Sequence, residues 1–285
     1  MFLLHKLKLR QVNEPCILTG LTIRQAKHYS FTLDGTRISL KVPKHNTELL
    51  AEPVSPKTHY DIEGVHLKEM INTRDGWGAL GSVFRSCDFY GPIFGGRLAS
   101  MSTSVAIVTP RKIEDKVSFF HPRSFEYGVG QLLAFEHGDE HLIDRQAWLA
   151  PIEWQPLTQF ESVAARFNVE PNSLRHTECR CLALPITNHH LLELKFVINW
   201  NVDYQNDNIS KEEERNWLDR RNIYQLIDDV IDSLEVTLSD EARAQQAKAL
   251  EGLNDTSLTT SYPPIDFSKM DGNEQSYQQL GQGVK

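Results

Sequence analysis

From Leu191 to Asp203, the residues Leu192, Leu194, Phe196, Ile198, Trp200 and Val202 alternate with Glu193, Lys195, Asn199, Asn201 and Asp203. A period of two gives one apolar and one mostly wet face, the mark of a long, half-buried antiparallel strand. Upstream lies the compact apolar run Cys181 to Ile186, and the polar stretch Thr187-Asn188-His189-His190 between them predicts a hairpin turn. Downstream, Ser210 with Glu213 forms a capping box, and Trp217, Tyr224, Ile227, Ile231 and Leu234 recur at helical spacing. A helix is therefore expected to lie across this sheet.

The same patterns recur elsewhere. Tyr29, Phe31 and Leu33 alternate with polar residues, as do Ile38, Leu40 and Val42; Asp34-Gly35 between them tolerates the positive φ of a tight hairpin turn, and Pro43 ends the second arm. Residues 45–76 read as loop, with a short helix near Val65 to Ile71. Ala79 to Tyr90 and Arg97 to Thr109 flank a glycine-rich turn and predict a further strand pair, after which Pro110 and the charged run Arg111 to Lys116 read as a linker. A helix is expected to start near His121-Pro122, to carry Phe125, Val129, Leu132 and Leu133 on one face, and to be capped by Gly138. Trp148 to Trp154, with Pro151 and Pro156 nearby, reads as a connector, and Val163 to Val169 as a short strand. Ser239 as N-cap, with Asp240 and Glu241 in the first turn, starts a lightly packing helix over Ala242 to Leu250. From Gly252 the composition turns polar and predicts a flexible tail. The fold class that follows is α+β, a mainly antiparallel sheet built from hairpins with helices packed on one face. Its portions are a hairpin-rich 1–110, an α+β 111–250 and the tail 251–285; hairpins in both halves leave open a pair of related lobes.

Composition narrows the function classes. The chain of 285 residues is 40% hydrophobic and 24% charged, ample for one large core or two modest ones. Lys6, Lys8 and Arg10 interrupt the apolar start, so neither a cleaved secretory signal nor a membrane span is expected. The four cysteines Cys16, Cys87, Cys179 and Cys181 form no disulfide framework or four-ligand zinc pattern, which predicts a cytoplasmic protein. A formal charge of −8 argues against a nucleic-acid partner and suits a basic protein partner.

Several short motifs invite chemistry. His137-Gly138-Asp139-Glu140-His141 matches the spacing of one class of zinc peptidases, but Gly138 stands where the helical pattern ends, so a solvated cap is the favoured reading. Asp228-Asp229-Val230-Ile231-Asp232 has the spacing that holds magnesium against diphosphates in some all-helical enzymes; beside a core stripe it reads better as a wet helix face. His189 and His190, with His176, Cys179 and Cys181, are the other candidate donor set, though adjacent turn histidines are ordinarily exposed polar residues. Gly128-x-Gly130 lacks the third glycine and preceding strand of a nucleotide site. No catalytic residue, metal or cofactor is expected on this evidence. The aromatic residues around Trp77, Phe84, Phe89 and Tyr90 fill core first, and any that are exposed would make a protein-binding patch.

The order of strand, strand and capped helix closing on Ile231-Asp232-Ser233-Leu234 resembles the close of PsbP-like α+β domains over Cys179 to Val236. Bacterial members of that group look like non-catalytic adaptors, namely effector chaperones of type VI secretion and cytoplasmic immunity proteins. The resemblance implies a protein-binding factor with another protein, such as a basic toxin or effector, as its partner; it carries no functional residues across. Tyr90, Phe94, His189, His190 and Trp200 are the residues expected to touch it. The competing classes are a hydrolase or transferase with dispersed active-site residues and a structural or assembly protein.

Overall fold

Leu191, Leu192, Leu194, Phe196, Ile198 and Trp200 of the strand β10 (Leu191–Trp200) are buried, and the strand lies near the middle of a six-stranded antiparallel sheet. The computed structural model describes residues 15–47, 52–61, 76–92, 96–111, 116–138, 148–171, 177–201 and 218–267. The other strands of this sheet are β5 (Trp77–Tyr90), β6 (Arg97–Pro110), β7 (Trp148–Leu157), β8 (Ala164–Pro171) and β9 (Thr177–Pro185), in the order β5-β6-β10-β9-β8-β7. A four-stranded sheet contains β2 (Lys27–Leu33), β3 (Thr36–Val42), β4 (His59–Tyr60) and β12 (Glu235–Thr237), and β1 (Cys16–Ile17) pairs in parallel with β11 (Leu218–Asp219). Three α-helices, α1 (Pro122–His137), α2 (Arg221–Asp232) and α3 (Asp240–Leu250), and a 3-10 turn at Ile23–Gln25 complete the described elements. The fold is α+β and mainly antiparallel. None of the described helices is long and apolar enough to cross a membrane.

Local chemistry explains the hairpins. Asp34 and Gly35 have φ of 42° and 82°, the paired positive values of a tight turn whose twist matches β2 and β3. The β5–β6 and β9–β10 pairs fall where the period of two places them, and Ile186 N–H donates to the His190 carbonyl at 2.9 Å to close the second turn. Ser239 caps α3 by accepting from the Ala242 N–H at 3.2 Å, and His121 caps α1 by accepting from Arg123 N–H. Gly138 does close α1, but with φ of −65°, so it continues the right-handed turn rather than reversing it.

The helices do not share a face. Leu182, Leu184, Leu192, Leu194, Phe196 and Ile198 on one side of the sheet join a cluster with Phe31, Leu33, Ile38 and Leu40 of the small sheet and Ile223, Leu226, Ile227 and Val230 of α2. Alternate positions Cys179, Cys181, Ala183 and Leu191 join the opposite cluster with Phe125, Val129, Leu132 and Leu133 of α1. The expectation of one covered face is corrected here. From Cys181 to Pro185 β9 is apolar and buried on both sides, and covering both stabilises the fold by about 25 cal/mol per Å² of apolar area.

Three other expectations are corrected by contacts distant in sequence. Trp148 to Trp154 is not a connector but part of β7, an edge strand, where prolines are tolerated because their missing N–H faces away from the ladder. The second helix starts at Arg221, because Leu218 and Asp219 are drawn into pairing with Cys16 and Ile17; Ser210, Glu213 and Trp217 lie outside the described residues. The start of the tail is tied down. Leu258 and Phe267 are buried, Ile265 N–H donates to the Ala150 carbonyl at 2.7 Å, and Trp154 donates its indole N–H to the Thr259 carbonyl at 2.9 Å. Residues 268–285 and the helix expected near Val65 to Ile71 lie outside the described residues. The boundary expected at Pro110 falls at the end of β6, which pairs with β10 from Ala99 to Val108, so both portions build one sheet.

Candidate functional site

The residues expected to contact a partner are spread over the molecule. Tyr90 ends β5 with 45% of its surface exposed, and its backbone exchanges two hydrogen bonds of 2.8 Å with Thr19. Trp200 is at the same end of the sheet but 3% exposed, with the Arg220 guanidinium 4.1 Å over its ring. His189 and His190 sit in the β9–β10 turn, at the far end of β10, roughly 30 Å away at the usual rise of a strand. They serve the turn itself. His190 Nδ1 is 2.8 Å from the Thr187 hydroxyl, and His189 Nε2 donates to the Val117 carbonyl at 3.0 Å. Phe94 lies outside the described residues.

The metal-like spacings separate as well. His137 is the last residue of α1 and packs on the Trp148 ring at 4.8 Å, while Glu140, His141 and His176 lie outside the described residues. Asp228 is ion-paired to Arg166 at 3.2 Å, Asp229 accepts from Gln225 at 2.9 Å, and Asp232 is exposed. Among the described residues no group of three or more His, Cys, Asp or Glu is disposed to hold a metal ion. All four thiols are buried, and burial pushes Cys87 and Cys179 up to about 12, which leaves them protonated and poor nucleophiles at neutral pH. Gly128 and Gly130 have a packing role. A Cβ on Gly128 would meet the Phe119 ring at 2.6 Å, and one on Gly130 the Tyr262 hydroxyl at 2.5 Å. The two glycines let Phe119 and the 252–267 strap close on α1.

Two charged networks escaped the sequence pattern. The first lies under α1. Lys195 Nζ reaches Glu136 Oε1 of α1 at 2.5 Å and Glu193 Oε1 of its own strand at 3.3 Å, with side-chain exposures of 19% for Lys195, 22% for Glu136 and 6% for Glu193. Burial, reinforced by the Glu136 charge, pushes the Glu193 carboxyl up to about 7, whereas the two carboxylates keep Lys195 firmly protonated. The second network is on the opposite side of β9. Arg220 donates to Glu178 Oε2 at 3.2 Å, Arg180 lies 3.8 Å from Glu178 Oε1, and Arg180 stacks over the Tyr224 ring at 3.6 Å, which ties β9 to the start of α2. Burial pushes the Glu178 carboxyl up, against the opposing pull of the arginines. Period two had placed Glu193 and Lys195 on a wet face. The available signal was in the paired strand, since Cys179, Cys181 and Ala183 face the same way and show that this side is covered.

The fold thus defines an α+β protein with an antiparallel sheet covered on both faces, in which the described ionisable groups of the interior are used to join elements. No protein-family model matches the chain, and no curated protein matches it either.

Proposed function

We propose that the chain is a non-catalytic, cytoplasmic protein-binding factor that recognises a basic partner, of the immunity or accessory kind found in bacterial toxin and secretion systems. The observation that carries this reading is the placement of charge. Residues 228–266 hold nine carboxylates against Arg243 and Lys248, a net of −7 within a chain total of −8. Asp232, Glu235, Asp240, Glu241, Glu251 and Asp255 in this segment are exposed. Such a concentration steers a cationic partner toward the C-terminal helices and speeds encounter more than it tightens the final complex. With both faces of the large sheet occupied, contact falls to these helices and the loops beside them, including the β9–β10 turn, where the Asn188 N–H donates to Gln245 of α3 at 2.9 Å. The resemblance to PsbP-like adaptors over Cys179 to Val236 points the same way.

The test is affinity capture from a native bacterial cell at low and moderate salt, with the wild type beside a D232K/E251K double variant. Both positions end a helix, where lysine suits the helix dipole, so stability is retained. A protein captured at low salt, weakened by salt and lost by the variant supports the reading. Equal capture by both proteins, or recovery of nucleic acid alone, overturns it.

A further inference from the structure

We propose that the last turn of α1 is held to the sheet by a proton-operated latch, in which Glu136 and Glu193 compete for the single ammonium group of Lys195. Glu136 belongs to the helix, Glu193 and Lys195 to the sheet, so the contact between them is also the contact between the two layers. Lys195 Nζ has Glu136 Oε1 at 2.5 Å and Glu193 Oε1 at 3.3 Å, and Glu193 is 5% exposed. Two carboxylates on one ammonium leave an extra negative charge in an interface that water barely reaches. One proton on Glu193 removes that charge and leaves a neutral Glu136–Lys195 pair. A buried uncompensated charge is costly, and the cheapest relief once the proton is gone is for Glu136, with 22% exposure the most accessible of the two acids, to swing outward with its helix turn.

Among the described residues no second lysine or arginine pairs with Glu136 or Glu193. On α1, His137 Nε2 lies 3.7 Å from Glu136 Oε2, with its ring against Trp148 of β7. From β9, Cys179 and Cys181 face the cluster with thiols pushed up by burial and therefore neutral, while Glu178 points to the other side of the strand. Ser104 of β6 donates only to the Lys195 carbonyl, at 3.5 Å, and β8 presents the apolar Phe167 and Val169. The rise of Glu193 to about 7 places the working range of the latch at neutral pH. The latch closes as pH falls through that range and loosens as pH rises.

The experiment uses the full chain with ¹³C-labelled glutamate carboxyls, titrated by NMR, together with amide exchange of residues 133–138 corrected for intrinsic exchange. The wild type is expected to show one glutamate with a midpoint near 7, absent in Glu193→Gln and moved downward in Glu136→Gln. Opening of the last turn of α1 should increase at least about tenfold between pH 5 and pH 8 in the wild type, as linkage to such a shift requires, and stay flat in Glu193→Gln. The Gln variant is close in shape to the protonated acid, so it keeps the fold. The latch is overturned if every glutamate titrates below about 6, if the midpoint is unmoved in Glu136→Gln, or if Glu193→Gln opens with pH as the wild type does.

Discussion

On one face of the six-stranded sheet, Leu192, Leu194, Phe196 and Ile198 meet hydrocarbon from α2 and the small sheet; on the other, Glu193 and Lys195, the intervening residues of the same strand, carry charge beneath α1. Along β10 the first interface is hydrocarbon packing with no titrating group of its own, its charged contact being the Glu178–Arg220 pair on the neighbouring β9. The second combines an aromatic cluster, in which Trp77 stacks on Phe119 at 6.0 Å and Trp154 on Phe167 at 5.7 Å, with an ion network whose value depends on where a proton sits. Hydrocarbon contacts stabilise under all conditions in which the chain folds, whereas a buried ion pair is weak evidence for stability until its count of charges balances. The difference teaches that one strand can serve two layers with opposite sensitivities.

The largest effect should come from the dry face. Phe196→Ala removes a fully buried ring and is expected to cost about 4 kcal/mol of unfolding free energy in denaturant titration, equally at pH 5 and pH 8. A cost that varied with pH would break the distinction between the faces. Next comes Lys195→Met, which leaves Glu136 and Glu193 without their cation and should cost about 3 kcal/mol at pH 8. At pH 5 the loss should be smaller, because Glu193 is then protonated. The sign follows from the upward shift of Glu193 from 4.5 to about 7: its stabilising contribution is complete below about 4.5 and is lost as pH rises through about 7. Glu193→Gln should accordingly be more stable than the wild type at pH 8.

Gly130→Ala places a methyl group against Tyr262 of the strap and should cost about 1–3 kcal/mol, with faster proteolysis after Gly252 as the direct readout. An unchanged digestion pattern would show that the strap closes without the close approach at this glycine. The smallest effect is expected at α3, which rests on the minor cluster of Phe120, Leu238 and Ala242. Ser239→Ala removes its cap and should cost about 1 kcal/mol, visible as lost protection in α3 with no change in α1.

Much of the candidate site was hidden from the sequence for one reason. Glu193 and Lys195 look like the wet side of an amphipathic strand, and only α1, which precedes them by more than fifty residues, turns that side into an interior. His189, His190 and Trp200 were legible as a turn and a sheet face, but their partners, the Val117 carbonyl and the Arg220 guanidinium, come from segments that no local pattern links to them.

Local chemistry was sufficient wherever a structure closes on itself within a few residues. Asp34-Gly35 specifies its own turn, Ser239 caps its own helix, and the alternation along β6 and β10 follows from the pleat alone. The tertiary structure decided what depends on burial and on pairing across the chain. It drew Leu218 into register with Cys16, recruited a proline-bearing segment as the edge strand β7, folded residues 252–267 over Trp154, and placed helices on both faces of the sheet. Periodicity reports which residues share a side, but whether that side meets water is set by the elements that pack on it.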